Sequence, residues 1–434
     1  MPLASRLLTD ITPLRESPLF RRLWVGTTLS AVGGALTIFA LPLQVYDITR
    51  SAFAVGALGI VRLVPTLTIG LLGGALTDAT DRRKLVLLTT FGQATLAAVL
   101  AAQAFAGLSA VWLLYLLAAL SSALSAVSQP ARRTLIPSLL RPEQLAAGLA
   151  LNRVSFQVMM TGGPALAGVI TAAAGGHLQA CYLLDTVSFA GSVYGVARLP
   201  AMPPQPGADR PGPRAIAQAL GFLRRSPVLA GAFLADLNAT IFGLPVALFP
   251  AINAERFGGN PTTLGLFTTA IGVGGLVSAA CTGPVGRAAR QGAVMLGTVA
   301  IWGAAFAGFA LARPLWLVLG LLALAGAADA ITVVLRGTIV QTLTTDQFRG
   351  RVTAAEYVVG AAGDSLGQAE SGAVGSLTSP TISALSGGIV TVLLAGAIAL
   401  VLPSFARYRS PSVAVRDVTG PPASAADQTA PQET

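Results

Sequence analysis

Residues 381–404 read TISALSGGIVTVLLAGAIALVLPS, an apolar run without a charged side chain. A helix crosses the hydrocarbon core of a bilayer with roughly 20 such residues. The run is rich in Leu, Ala, Gly and Val and lacks the strict alternation of barrel strands, so it is typical of a helix. This stretch therefore predicts a transmembrane helix.

Comparable apolar runs recur along nearly the whole chain, with only short polar connections between them. The protein has 434 residues, of which 53% are hydrophobic and only 11% are charged. That composition is far from the average of soluble proteins and excludes a soluble domain of appreciable size. We predict twelve spans, at residues 22–46, 51–77, 84–106, 109–130, 147–173, 178–198, 227–253, 262–286, 292–312, 315–340, 351–377 and 381–404.

A polar segment with six prolines and several arginines, residues 199–226, divides the spans into two sets of six. We predict an all-α polytopic membrane protein, with twelve transmembrane helices in two six-helix bundles related by a pseudo-two-fold axis. This is the layout of transporters whose halves rock about a site near the bilayer midplane. The predicted regions are an N-terminal half at 1–198, a cytoplasmic linker at 199–226, a C-terminal half at 227–404 and a disordered cytoplasmic tail at 405–434.

The basic residues predict the orientation of these spans. The net charge is +10, and most of the 28 Lys and Arg are predicted to lie on the side of the termini and of the linker. By the positive-inside rule both termini are cytoplasmic, so the basic residues face the lipid surface and no nucleic acid is expected as a partner. We predict a monomeric, multi-pass protein of the bacterial inner membrane. The basic residues placed elsewhere are Arg50, Arg256 and Arg313 outside and Arg62, Arg153 and Arg336 within spans.

Residues that would support catalysis are scarce in this chain. It has no phosphate-binding loop of the form Gly-x-x-x-x-Gly-Lys-Ser/Thr, and its single histidine, His177, falls in an outer loop. Cys181 and Cys281 lie within apolar runs and form no metal-ligand pattern. We therefore expect no enzyme activity, no ATP-driven pumping, no metal site and no cofactor.

The loop after the second span reads GALTDATDRRK, from Gly74 to Lys84. It resembles the signature between helices 2 and 3 of the major facilitator superfamily, although Ala79 replaces a basic residue and Asp81 a glycine. Because helix N-termini attract carboxylates, we expect Asp78 to contact the start of the eleventh span when the cytoplasmic side closes. The residues assigned to this conformational latch are Gly74, Asp78, Arg82, Arg83, Gly350 and Arg351.

The fifth span contains GGPALAG, from Gly162 to Gly168. It is similar to the Gly-Pro signature of antiporter branches of the superfamily, matching at Gly163, Pro164 and Gly168. Together with the stretches 41–49, 129–133, 341–346 and 349–352, it resembles the enterobactin-exporter-like branch. That resemblance implies efflux of a siderophore or an amphipathic drug, driven by the proton-motive force. The basic residue of helix 4 that drug antiporters share is missing, since the fourth span has no charge before Arg132.

Ionisable residues at membrane depth indicate a transport pathway, with structural ion pairs as the alternative. In the eleventh span, Glu356, Asp364 and Glu370 share one helical face with Gly360, Gly363 and Gly367, so this face lines a cavity or a seam with another helix. Beside Asp364, the small Gly363 and Gly367 can leave room for water or ligand. We expect Asp364 to exchange protons or to contact cationic parts of the substrate. The residues predicted for the substrate or proton pathway are Arg62, Asp236, Asp329, Arg336, Glu356 and Asp364.

Each of these residues also has a structural interpretation. Arg62 holds an anionic substrate or forms an ion pair across helices, and Asp236 is equally consistent with either role. A structural pair between Asp329 and Arg336, which lie two turns apart on one face of the tenth span, is favoured, and Asp185 is expected to be structural. At the level of the whole protein, a proton-coupled exporter of a small molecule is favoured, and an uptake symporter on the same fold or a non-transporting membrane receptor or assembly protein are the alternatives.

Overall fold

The computed structural model describes residues 10–202, 221, 226–280 and 290–409. Every regular element in these ranges is helical. The helices are α1 Thr12–Glu16, α2 Pro18–Thr49, α3 Ala52–Ala79, α4 Arg82–Phe105, α5 Val111–Leu139, α6 Pro142–Ala173, α7 Gln179–Ala197, α8 Pro227–Phe242, α9 Phe249–Phe257, α10 Pro261–Ala280, α11 Gln291–Leu311, α12 Leu315–Leu343, α13 Asp346–Leu377, α14 Pro380–Val401 and α15 Pro403–Ala406.

Small polar side chains begin several of the long helices. Ser51, Ser226 and Ser379 each accept a hydrogen bond from the backbone N–H three residues on, at 3.1–3.4 Å. Such a cap satisfies one of the N–H groups that the first turn of a helix leaves unpaired. The caps therefore fix where α3, α8 and α14 begin.

Eleven segments of the described chain are long and apolar enough to cross a membrane. The remaining long helix is α13, whose acidic and basic residues lower its hydropathy. Each predicted span has a helix, although two predictions of shape were wrong. The seventh span is not one helix, because α8 ends before Pro245 and a 3₁₀ turn at Val246–Leu248 leads into α9. The fourth does not stop at Pro130, and α5 continues to Leu139, so Arg132 lies within a helix.

The packing of the helices repeats between the two halves. In the first half, α2 packs on α7 and α6, α5 packs on α3 and α4, and α4 packs on α7. The second half has the corresponding pairs. There α8 packs on α14 and α13, α12 packs on α10 and α11, and α11 packs on α14. Between the halves α3 packs on α13, and α6 packs on α10. Each of these contacts is the counterpart of the other when the halves are exchanged. The fold is therefore two six-helix bundles related by a pseudo-two-fold axis.

We call the side at which the segment 198–226 joins the halves the linker side, and the opposite side the far side. Glycines bring the halves together toward the far side. A Cβ on Gly59 of α3 would lie 2.6 Å from the Ser365 oxygen of α13, and one on Gly168 of α6 would lie 2.5 Å from the Pro261 oxygen of α10. Small residues permit such close helix packing in membranes. The far side is thus closed in this structure.

Arg256 at the end of α9 fixes the far side of the second half. Its guanidinium donates to the carbonyl oxygens of Phe309, Ala310 and Ala312 and to Thr381 Oγ1, at 2.5–3.2 Å. These carbonyls are the unpaired acceptors at the C-terminus of α11, where a cation is also favoured by the helix dipole. Arg256, placed in an outer loop by the sequence, therefore caps a helix.

The chain remains packed beyond α14. Phe405 in α15 is fully buried, and it lies against Gly231 of α8 and Gly292 of α11. The predicted tail begins at residue 405, so the first few residues of that region belong to the packed part of the second half. Residues 410–434 lie outside the described ranges.

Candidate transport site

Five charged side chains from three helices meet in the second half, and we call them the Arg336 cluster: Asp236, Asp329, Arg336, Glu356 and Asp364. Arg336 of α12 forms ion pairs with Asp236 of α8 and with Glu356 of α13, the latter at 3.3 Å between Nε and Oε1. The three side chains are 14%, 7% and 26% exposed. Charges in a low-dielectric interior are tolerated when they are paired in this way. Arg336 therefore joins the consecutive helices α12 and α13 to α8, which lies far from them in the sequence.

Asp329 and Asp364 complete the Arg336 cluster without an ion pair or hydrogen bond of their own among the described residues, so the predicted pair between Asp329 and Arg336 was wrong, because Asp236 and Glu356 occupy the guanidinium. Both interact electrostatically with Arg336 and Asp236. Asp329 is half-buried, and Asp364 is exposed to the space beside α13. Four carboxyl groups thus surround one guanidinium, and the cluster has an excess of negative charge when all are ionised. Such a cluster can accept a proton or a cationic group of a ligand.

The glycines of α13 have two different environments. A Cβ on Gly363 or Gly367 would collide with Thr240 of α8, whereas one on Gly360 would meet no heavy atom within 4 Å. The room expected at Gly363 and Gly367 is therefore filled by α8, and these two glycines form the helix seam that was the alternative prediction. Their role is to bring α8 and α13 together, which places Asp236 within reach of Arg336 and Glu356.

The first half holds an unpaired cation. Arg62, in the middle of α3, is half-buried and makes no ion pair or side-chain hydrogen bond with the described part of the chain. The neutral phenol of Tyr182 in α7 is the titratable group that interacts with Arg62. Tyr182 donates to Gln44 Oε1 at 2.7 Å, and the Gln44 and Gln103 amides bond each other at 3.1 Å. This buried network is one that the sequence analysis missed.

Asp185, predicted to be structural, lies between α7 and α2. Thr37 Oγ1 donates to its carboxylate at 2.5 Å, and a Cβ on Gly33 of α2 would lie 2.6 Å from Asp185 Oδ1. The carboxylate is 3% exposed. It is therefore separate from the Arg336 cluster, and it holds two helices of the first half together.

The signature loop between α3 and α4 binds the beginning of the linker. Asp81 Oδ1 caps α4 by accepting from Lys84 N–H at 3.0 Å, and its Oδ2 accepts from Met202 N–H at 3.1 Å. Arg82 N–H donates to the Met202 carbonyl at 3.2 Å, and the Arg83 guanidinium donates to the Ala197 carbonyl at the end of α7. Asp81, a departure from the superfamily pattern, thus attaches the linker to this loop.

The other residues of the predicted latch fall where the structure describes no side chains. Gly74 and Asp78 lie near the end of α3, and Gly350 and Arg351 lie in the first two turns of α13. Their side chains are outside the described part of the chain. Contact between Asp78 and the start of α13 stays a prediction.

The Gly-Pro motif of α6 lies at two helix contacts. A Cβ on Gly163 would collide with Ala35 of α2, and the Pro164 carbonyl lies against Gly265 of α10. Gly168, one turn further toward the far side, contacts the start of α10. The three residues of the predicted motif therefore connect α6 to its own half and to the other half.

Comparison with known proteins identifies the family. Residues 8–425 match the family described as transmembrane secretion effector, which is almost the whole chain. The chain belongs to this family. Transmembrane secretion effectors of the major facilitator type are transporters, so the protein is a transporter and not an enzyme.

Two relatives of this transmembrane secretion effector are named for their activity. The enterobactin exporter EntS of Citrobacter koseri is 28% identical over 409 residues, which cover 93% of this chain and 96% of the relative. EntS of Escherichia coli is 26% identical over 417 residues, with 94% and 98% coverage. The resemblance to the enterobactin-exporter-like branch is confirmed by these matches.

Solved structures share the fold of this secretion effector. The nucleoside transporter NupG superposes with a TM-score of 0.69 at 15% identity, covering 90% of this chain and 100% of that chain. A bacterial homologue of the iron transporter ferroportin, in an inward-facing state, gives a TM-score of 0.67 at 17% identity, with 90% and 99% coverage. At these identities the likeness concerns the fold alone, and it confirms the predicted twelve-helix architecture.

Proposed function

We propose that this chain exports an amphipathic, siderophore-like small molecule in exchange for protons. The Arg336 cluster is the observation that carries the proposal. It combines one guanidinium with four carboxyl groups, two of which have no partner among the described residues. Acids in a membrane interior cost free energy, so their presence indicates a function that depends on them. We assign proton binding to the cluster as that function.

Alternating access links proton binding to substrate movement. With the far side closed, Asp364 is exposed to a space that we infer to be aqueous, since a carboxylate facing lipid is costly. We assign the linker side to the cytoplasm, because the basic residues of the termini and of the linker favour that orientation. The structure then corresponds to a state that accepts substrate from the cytoplasm.

Transport of enterobactin in everted membrane vesicles tests this function. An exporter that exchanges protons should accumulate labelled enterobactin when the vesicle interior is acidic, and a protonophore should abolish the accumulation. An uptake symporter should instead accumulate it in right-side-out vesicles with acid outside. A receptor or assembly protein should give the same signal as vesicles without the protein, and either of these last results would contradict the proposal.

The contact between α6 and α10 gives a prediction for the closed far side. Gly168→Val places a larger side chain where a Cβ already lies 2.5 Å from the Pro261 oxygen. Overpacking costs about 1–3 kcal/mol, so the closed state should become less populated and enterobactin accumulation should fall several-fold.

Gly162→Val is the matched control for Gly168→Val. It lies in the same motif, but a Cβ on Gly162 would meet nothing within 4 Å. We expect this variant to transport like the wild type, and both variants to be recovered as folded protein by size-exclusion chromatography. Equal transport by the two variants would show that the α6–α10 contact does not limit the cycle.

A further inference from the structure

A cavity of about 670 Å³ lies among α2, α5 and α6 of the first half, toward the linker side. Ligand pockets for small organic molecules have volumes of roughly 300–1,000 Å³. The Arg336 cluster belongs to the other half, and none of its five residues lines this cavity. The cavity is therefore a separate feature of the protein.

The charged groups of the cavity are all cationic. Arg132 of α5 and Arg153 of α6 line it, and no carboxylate is among the residues that do. Arg132 Nη2 donates to Thr90 Oγ1 at 2.8 Å, which orients its guanidinium. Arg153 is exposed and makes no ion pair within the described ranges. Two guanidinium groups without a counter-charge among the lining residues of this partly open cavity favour the binding of an anion.

The rest of the lining combines apolar surface with hydrogen-bonding groups. Phe20, Trp24 and Phe156 supply aromatic surface, while Gln129 and Asn152 supply amides. The indole Nε1 of Trp24 is buried, so Trp24 offers the cavity the apolar part of its ring. The amides of Gln129 and Asn152 can donate hydrogen bonds to acceptors on a ligand. The cavity therefore suits a molecule with both an aromatic body and an acceptor-rich anionic group.

Helix geometry places the cavity and the Arg336 cluster at similar depths. Arg153 and Glu356 each lie about three turns from the linker-side end of their helix, α6 and α13. A substrate at this level would meet arginines of one half and acids of the other. The two sites can thus have different tasks, with anion binding in the first half and proton exchange in the second.

We propose that this cavity is a binding site for amphipathic anions, in which Arg132 and Arg153 hold the anionic group and the aromatic residues hold the apolar body. The inference rests on the proposed export function in naming the substrate class, but binding itself does not require proton coupling. The same chemistry is present in a free aromatic anion and in an anionic lipid headgroup with its acyl chains. Binding measurements can distinguish these two sources.

Naphthalene-2-sulfonate is a suitable probe, with neutral naphthalene-2-sulfonamide as its uncharged counterpart. Calorimetric titration of the full-length protein in nanodiscs of neutral phosphatidylcholine should give saturable binding of the sulfonate at one site and much weaker binding of the sulfonamide. Arg153→Gln should weaken sulfonate binding roughly tenfold or more, because it removes a charge-assisted hydrogen bond. Arg153→Lys should keep most of the affinity.

Arg141→Gln is the matched control, since Arg141 is exposed at the start of the same helix and does not line the cavity. It should bind the sulfonate like the wild type. If Arg132→Gln fails to fold, because the Thr90 bond is lost, the Arg153 variants still test the site. Equal binding of both probes, or unchanged affinity in Arg153→Gln, would overturn the proposal.

The lipid source is tested by adding phosphatidylglycerol to the nanodiscs. Competition that weakens sulfonate binding in the wild type, and is absent from Arg153→Gln, would support the same anion site with lipid as an occupant. Binding that is independent of phosphatidylglycerol would support the site for free anions. Because these measurements involve no gradient, sulfonate binding by a protein that does not exchange protons would retain the site while contradicting the proposed coupling.

Discussion

Arg336→Gln should yield little folded protein, and what is recovered should unfold at a temperature several degrees lower and transport no enterobactin against a gradient. The substitution removes the only guanidinium of the Arg336 cluster and leaves Asp236 and Glu356 without their ion-pair partner. Removing one partner of a buried ion pair typically costs about 3–5 kcal/mol, because the remaining charge is uncompensated. The effect should be large, since two carboxylates lose their partner at once.

Neutralising the orphaned acids should restore folding but not transport. In the triple variant Arg336→Gln, Asp236→Asn, Glu356→Gln, amides replace all three charges, so the electrostatic cause of instability is removed. We expect its unfolding temperature, measured by nanoscale fluorimetry in detergent, to return toward that of the wild type. Transport should remain absent, because the Arg336 cluster has lost its guanidinium and two of its four carboxyl groups, and the remaining Asp329 and Asp364 no longer face a cation.

Arg313→Gln is the control that shows whether replacing an arginine outside the Arg336 cluster affects stability or transport. Arg313 is exposed in the short connection between α11 and α12, where its change should alter neither stability nor transport by a measurable amount. Normal folding of Arg336→Gln would contradict the argument, and so would a triple variant that is no more stable than the single one.

The predicted architecture and the observed one agree because hydropathy dominates in a membrane. Each long apolar run had to become a helix, since lipid offers no partner to an exposed backbone group. Breaks within a span are harder to predict. Pro130 and Pro137 lie inside α5, whereas Pro245 lies just beyond the end of α8, before the 3₁₀ turn. The tertiary contacts of each site decide whether a proline is accommodated within a helix or follows its end.

The candidate site was only partly predictable from the sequence. A helical wheel selects the face on which Glu356 and Asp364 lie, but it does not say which helix faces them. Arg336 pairs with Asp236, a residue of another helix that is distant in the sequence, and that pairing depends on Gly363 and Gly367 closing the gap between α8 and α13. Both the ion-pair partners of Arg336 and the close packing of α8 on α13 depend on the tertiary structure, which the periodicity of one helix does not reveal.

The cationic cavity shows a second limit of sequence analysis. Arg132 was counted with the cytoplasmic basic residues because the fourth span was ended at Pro130, while Arg153 was counted within a span. Only the continuation of α5 to Leu139 brings both arginines to one cavity. The signal available in the sequence was Arg153, a basic residue at membrane depth with no acid one turn away on its own helix.

Asp364→Asn should abolish proton-driven accumulation of enterobactin while leaving the protein folded. Asp364 is the exposed acid of the Arg336 cluster, and it has no ion pair or hydrogen bond to lose among the described residues. The amide has nearly the same shape as the carboxyl group but cannot take up and release a proton at neutral pH. The substitution therefore removes the titratable group and preserves the packing around it.

The size of the expected effect follows from the driving force. A gradient of one pH unit is worth about 1.4 kcal/mol per proton, which supports up to roughly tenfold accumulation when one proton is exchanged per substrate. In Asp364→Asn the accumulation should fall to about the level reached without a gradient. Counterflow of labelled against unlabelled enterobactin, which needs no net proton movement, should continue.

Glu370→Gln is the matched control for Asp364→Asn, because it makes the same chemical change on the same helix. Glu370 is half-buried nearer the far-side end of α13 and does not belong to the Arg336 cluster, so accumulation and counterflow should both persist. If Asp364 is instead a structural residue, Asp364→Asn should lower the unfolding temperature while the remaining protein stays proton-coupled. Wild-type behaviour of Asp364→Asn in accumulation and in counterflow would remove this residue from the coupling mechanism, and proton exchange would then have to involve Asp329 or the ion-paired acids.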